Sequence, residues 1–314
     1  MEYVIEDARD ASFFKKTTFS KYELTAVKKE LLKSLVEGKL EQCCHWSTEL
    51  VCSGHFLALW ELVFLFFGKY VHAGNPKLPI YLELRFRAFV QAARAEPVEL
   101  DLRNNLLVRK LVAEMMCVLA LSPKRHGLEP IKVRKDELDL LNLHERFKAP
   151  GVTFAGKAFK PGDPKELFVP LNEFAYALHA KRNVDACYWL EWMMQFEGAK
   201  KALKCAPREY VSGKSAATDF VWLFLDVLMG QLKKKGVVEE KVAAATLALF
   251  CVNYTTAACE RRRYLLYFLV ALCCEPVAMD ADIVPDKKII EAVFPKCSLM
   301  YKDILRHSIK LKAP

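Results

Sequence analysis

The sequence predicts an all-α chain built from two related helical units of stacked helix pairs, α-solenoid-like or an irregular helical bundle. Three observations carry this expectation. Apolar residues recur at helical spacing along most of the 314 residues. Almost no stretch alternates with period two for long enough to build a sheet. Finally, "ELLKSLVEGKLEQCCHW" (30–46) aligns without a gap on "EFAYALHAKRNVDACYW" (173–189), matching Glu30 with Glu173, Leu35 with Leu178, Cys44 with Cys187 and Trp46 with Trp189. Each copy reads as a short helix, a turn and a second helix opening on Cys-x-Trp, a pattern expected of helix pairs that bury one face against a neighbour.

The first helix is read in "FSKYELTAVKKELLKSLVEG" (19–38), where Leu24, Val27, Leu31 and Leu35 share a face, Ser20 is a candidate N-cap and Gly38 a stop. A second helix is expected from about Leu40 to Ser53 and a third from about Gly54 to His72. "AGNPKLP" ends the third, because its Gly, Asn and two prolines cannot continue a helix. Pro79 opens the next, "IYLELRFRAFVQAARA". Further helices are read at "RNNLLVRKLVAEMMCVLALS", "PLNEFAYALHAK", "VDACYWLEWMMQFEGAKKALK", "ATDFVWLFLDVLMGQLKKKG", "EEKVAAATLALFCVNY" and "AACERRRYLLYFLVALCCE". The turn-rich "APGVTFAGKAFKPGDPKE" is the expected boundary. It divides the chain into an N-terminal helical domain (1–149), a Pro/Gly-rich linker (150–167) and a C-terminal helical domain (168–314).

Apolar residues make up 53% of the chain and Gly and Pro are sparse, which argues against disorder and low complexity. A net charge of +9 suits an acidic partner, but the excess is spread along the sequence. The opening residues "MEYVIEDARDASFFKK" carry acids where a signal peptide would carry a basic segment and then an apolar one. Eleven cysteines lie within apolar helical patterns, some adjacent (Cys43–Cys44, Cys273–Cys274), and are expected to be reduced and buried. Both readings place the chain in cytosol.

The stretch from Glu41 to Pro79 concentrates the chain's chemistry. Cys44, His45, Cys52 and His55 lack the two close pairs and longer spacer of a structural zinc site. Cys44, Thr48, Cys52 and His55 fall instead on one helix face, as a core stripe does. "HFLALWELVFLFFGKYV" holds Glu61 and Lys69 and is shorter than the about 20 apolar residues of a spanning helix, so no membrane span is expected. "SGKSAATDF" (212–220) ends like a phosphate-binding loop, but Arg208 occupies the position of the required first glycine, leaving a turn. No catalytic residue, metal ligand or cofactor is expected. Basic contacts could come from Lys233, Lys234 and Lys235 and from Arg261, Arg262 and Arg263 beside Tyr264. The three lysines are equally explained by a helix C-terminus, where positive charge is favoured.

"CHWSTELVCSGHFLALWELVFLFFGKYVHAGNPKLPIYLELRF" resembles a helical protein family of the nucleocytoplasmic large DNA viruses, chlorovirus-like in type. In that family a Trp-x-x-Glu-Leu-x-x-Ser-Gly block precedes a Trp-Glu helix and an Asn-Pro-Lys-Leu-Pro-x-Tyr loop. "PLNEFAYALHAKRNVDACYWLEWMMQFE" resembles its later Asn-Glu…Cys-Tyr-Trp-x-x-Trp pattern. The resemblance covers about a third of the chain and rests on Trp46, Glu49, Leu50, Ser53, Gly54, Trp60, Glu61, Asn75, Pro76, Lys77, Pro79 and Tyr81, then Asn172, Glu173, Tyr188, Trp189 and Trp192. It implies a virus of cytoplasmic replication and carries no catalytic residue. With it comes the expectation of a non-enzymatic minor capsid protein, located in the virion and in host cytoplasm during assembly, with major and minor capsid proteins as partners. The alternative is a replication or transcription accessory protein with a basic surface, so nucleic acid is admitted as a partner but not favoured. Trp46, Trp60, Trp189 and Trp192 are expected to be core or interface anchors. The Gly74–Pro79 loop reads as a rigid turn, with a presented edge as the functional alternative.

Overall fold

The computed structural model describes residues 3–310 other than 8, 214, 281, 285 and 286, and their side chains other than those of 294 and 307–310. Among the described residues the chain is all-helical, and its packed helix pairs are compatible with a helical bundle. Among them no strand forms; the nearest approach is an isolated bridge between Thr17 and Glu23. The helices are α1 (Leu24–Glu37), α2 (Leu40–Cys52), α3 (Phe56–Phe66), α4 (Leu78–Ala95), α5 (Glu99–Asn104), α6 (Leu106–Leu121), α7 (Phe168–His179), α8 (Asn183–Ala199), α9 (Phe220–Leu232), α10 (Val237–Phe250), α11 (Thr256–Arg261), α12 (Arg263–Cys274) and α13 (Lys287–Lys310).

The two aligned segments fold alike. Gly38 ends α1 at φ 70°, and Lys181, its counterpart after α7, stands at φ 59°. In the first turn Gly38 N donates to Leu35 O and Lys39 N to Ser34 O. In the second, Lys181 N donates to Leu178 O and Arg182 N to Ala177 O. These bonds satisfy the last carbonyls of each helix and reverse the chain within two residues. Glycine meets that left-handed conformation without strain, whereas lysine pays for it in Cβ crowding.

The chain divides elsewhere than the composition implies. One unit comprises residues 1–124 and 280–314, the other 125–279. The expected boundary at 149/150 and the linker 150–167 therefore fall inside the second unit. The reason is hydrogen bonding. Asn172 of α7 accepts from Phe154 N at 2.9 Å and donates to Gly151 O at 2.7 Å, while Glu173 accepts from Lys148 N at 2.8 Å. Trp192 Nε1 donates to Glu137 O at 2.7 Å, fixing the earlier coil to α8. Asp163 accepts from Ala206 N and pairs with buried Arg208, which also reaches Asp226. A Pro/Gly-rich stretch whose backbone is bonded this fully is part of a core, not a hinge.

The first unit is closed by a helix that the sequence reading leaves out. α13 packs on α2 and α6. Its buried positions Ile290, Val293, Cys297, Tyr301 and Ile304 follow steps of three and four, one face of a helix. Burying each of the larger ones contributes about 1.5–3 kcal/mol, enough to hold a helix that carries Pro295 in its interior. Asn75 ties down the returning chain, donating to Ser122 Oγ at 3.1 Å and Ile283 O at 2.9 Å. The third helix also ends earlier than expected. α3 stops at Phe66 and a wider π-helical turn runs from Phe67 to Val71. Gly74 then passes so close to Pro123 that an added Cβ would stand 2.3 Å from its carbonyl oxygen.

Candidate functional site

The second unit contains a cleft of about 730 Å³, within the range of ligand pockets. Its wall on one side is the C-terminal half of α8, with Glu191, Met194 and Glu197. Lys201 and Lys204 follow on the next segment, and Thr256, Cys259, Glu260 and Arg263 come from α11 and the start of α12. α8 is apolar around most of its circumference, which drives it into the middle of the unit and carries its two glutamates inside. Glu191 is 2% exposed and Glu197 6%.

The two acids are treated differently. Glu191 Oε1 accepts from Tyr267 Oη at 2.7 Å and Oε2 from Arg263 Nη1 at 2.9 Å. Burial still raises its pKa, against the opposing pull of Tyr267 and Arg263. Glu197 Oε1 accepts from Phe220 N at 2.8 Å, satisfying the first N–H of α9. Among the described residues no group donates to its Oε2. Burial pushes Glu197 up to about 7, with Asp219 adding to the rise and the Phe220 N–H and Lys204 opposing it. Its place in the last turn of α8, where the helix dipole is negative, disfavours the carboxylate further.

Asp219 is also buried, and its Oδ2 accepts from Tyr254 Oη at 3.0 Å and Thr256 Oγ1 at 2.8 Å. Lys204 Nζ stands 3.8 Å from Asp219 Oδ1, beyond hydrogen-bonding distance. The cleft thus has an acidic floor with one carboxyl oxygen unused, and a rim of lysines. Its reagents are a proton held near neutrality and a hydrogen-bond acceptor facing a partly apolar wall.

None of these acids is singled out by sequence. The available signal is a pair of glutamates in the otherwise apolar "YWLEWMMQFEG", where no solvated face exists to receive them.

The residues singled out by motif go mostly to the core. Glu49 is fully buried and accepts from Ser20 N and Ser20 Oγ at 2.7 and 2.8 Å, holding the N-terminal turn on α2. Trp60 is buried edge-on to Phe86, with centroids 5.0 Å apart. Trp189 stacks on Phe147, and Trp192 on Phe196. Trp46 is half-buried against Tyr22 and His45. Asn75, Pro76 and Pro79 are buried and Lys77 is half-buried, so the loop is largely enclosed as a turn. Buried Tyr81 donates to Glu114 at 2.8 Å.

The basic candidates divide. Arg262 is 3% exposed and caps α10 through Phe250 O and Val252 O. Arg263 pairs with Glu191 and Glu260. Lys235 donates to Leu272 O at the end of α12. Lys233, Lys234 and Arg261 remain exposed.

The candidate metal ligands do not meet. Cys44 Sγ lies 3.9 Å from Cys117 Sγ, whereas His55 Nε2 bonds Phe14 O at 2.9 Å. Arg208, in place of the missing glycine, serves the Asp163 ion pair, and the "SGKSAATDF" segment runs through a short 3₁₀ turn into α9; its Lys214 lies outside the described residues. Among the described residues no helix is long and apolar enough to cross a membrane. Comparison with protein-family models, with curated proteins and with solved structures finds no match.

Proposed function

We propose that this chain is a non-enzymatic structural protein that binds neighbouring proteins. In the setting implied by its motif resemblance, we place it as a minor capsid protein of a large DNA virus, bracing major capsid proteins beneath the shell. The observation that supports protein binding is the outer part of α4. From Glu83 to Ala95, thirteen residues and about 20 Å of helix, no residue is buried, yet eight are apolar. Leu84 is 56% exposed, while Phe86 and Phe89 are half-buried and lean on Trp60 and Phe56. Helices in proteins draw most of their stability from packing an apolar face. An extended, aromatic-backed face left open is the kind of surface that another protein covers. Viral origin and capsid placement rest on the sequence motifs alone.

The test is quantitative mass spectrometry of purified, protease-treated particles against infected-cell lysate. Enrichment at a fixed ratio to the major capsid protein is expected, and abundance in lysate with absence from particles would sink the capsid assignment. Substituting Leu84→Asp is expected to leave stability within about 0.5 kcal/mol, as for other exposed positions, while lowering incorporation. Unchanged incorporation would remove α4 as the contact.

A further inference from the structure

We propose that the cleft between α8 and α11–α12 is a binding site for a primary alkylammonium group, with Glu197 as its anionic anchor. Three features define the ligand. The anchor is a carboxyl that is nine-tenths buried, with one oxygen on Phe220 N and no described donor for the other. Glu197 lines the cleft, with that oxygen open to accept a hydrogen bond. A cation that brings N–H donors supplies what is missing.

Second, the floor is acidic. Asp219, buried and outside the lining, lies beside Glu197 in the electrostatics of the site, while Glu191 and Glu260 line the cleft together with Lys201, Lys204 and Arg263. Arg263 is committed to Glu191 and Glu260 at 2.9 and 2.8 Å. Lys204 shows the preference of the site: its ammonium stands toward Asp219 but stops at 3.8 Å. The chain's own ammonium forms a long ion pair with Asp219 and no hydrogen bond to it. A ligand free of that tether can reach Glu197 on the cleft lining.

Third, the wall around the acids is partly apolar. Met194, Ala257 and the open flank of Gly198 face the cleft, and nothing lies within 4 Å of where a Cβ on Gly198 would be. An alkyl stem fits there, and an inorganic cation would leave that surface uncovered. The volume of about 730 Å³ accommodates either a small amine or a lysine side chain with part of its backbone.

The pH dependence follows from the groups that face Glu197. These are Glu191 on α8, Lys201 and Lys204 after it, Asp219 at the start of α9, Tyr254 after α10, Cys259 and Glu260 on α11, and Arg263 on α12. Burial holds Cys259 and Tyr254 protonated well beyond neutrality. Glu197, at about 7, changes charge between pH 6 and 8, while an alkylammonium, near 10.4, stays charged. Amine binding therefore tightens as pH rises through 7.

The experiment is titration of the full-length chain with n-pentylamine, Nα-acetyl-lysinamide and pentanoate, followed by calorimetry and by NMR at pH 6 and 8. Saturable amine binding is expected at pH 8, weaker at pH 6. Glu197→Gln keeps an acceptor for Phe220 N and is expected to weaken it by about tenfold with unfolding still cooperative. Lys204→Met removes the chain's own competitor and is expected to tighten it. Stronger binding of the lysinamide assigns the site to a lysine side chain, and stronger binding of pentylamine to a free amine. The proposal is overturned if neither amine saturates at pH 8, if Glu197→Gln binds unchanged, or if pentanoate binds better and Lys204→Met loses it.

Discussion

Glu197 makes the stability of this protein depend on pH in a direction opposite to that of most carboxylates. An ordinary glutamate titrates near 4.5, and burial lifts Glu197 to about 7 in the folded chain. Below pH 4.5 the group is protonated in both states and costs nothing. Between 4.5 and 7 the unfolded chain releases the proton while the folded chain keeps it, so stability falls as pH rises. The loss is complete above 7. A gap of about 2.5 units at about 1.4 kcal/mol each amounts to about 3 kcal/mol, a large share of the about 5–15 kcal/mol typical of a folded domain.

Glu197→Gln cannot ionise and keeps the acceptor on Phe220 N, so it isolates the charge. Urea unfolding of wild type and variant, followed by intrinsic fluorescence at pH 5, 6, 7 and 8, reads the difference directly. The variant is expected to gain on the wild type steadily with pH, by about 3 kcal/mol from pH 4.5 to 8. A difference that stays constant, or that shrinks with pH, would refute the reasoning and place Glu197 in an environment that welcomes its charge.

Four further outcomes are expected. Arg208→Met strands Asp163, whose side chain is fully buried in their ion pair; thermal and urea unfolding should show a loss of about 3–5 kcal/mol. Ile304→Ala opens a void under α13, where the side chain is 2% exposed, costing about 2–5 kcal/mol. In a chain ended at residue 286, maleimide labelling read by mass spectrometry should find Cys44 and Cys117 reactive where the intact chain protects them. Gly74→Ala drives a methyl group to within 2.3 Å of Pro123 O and should cost about 1–3 kcal/mol, read as a lower Tm at unchanged far-UV circular dichroism.

The sequence by itself determined what depends on near neighbours. The period of Leu24, Val27, Leu31 and Leu35 is enough to make α1, because residues three and four apart share a face whatever lies beyond. Gly38 stops α1 and Pro79 stands in the first turn of α4 through their own φ preferences, where the pattern says. The alignment of 30–46 on 173–189 even carries the register of the second turn, although Lys181 offers no glycine to mark it. Glu49 and Asn75 are legible as special residues but not as residues of the interior, whereas the tryptophans read as core or interface anchors.

Only the tertiary structure decided which long-range partners close each unit. A Pro/Gly-rich stretch looks like a linker until Asn172 and Glu173 bond its backbone. α13, with a lysine-rich outer face and Pro295 within it, becomes a helix through burial against α2 and α6, an energy that no window of sequence contains. The cleft is the extreme case. Glu191, Glu197 and Asp219 come together from α8 and α9, with Thr256 and Arg263 arriving from α11 and α12. The charges of Glu191 and Glu197 are set by desolvation and by their partners, those of Glu191 standing 72 and 76 residues away, a property of packing and not of order along the chain.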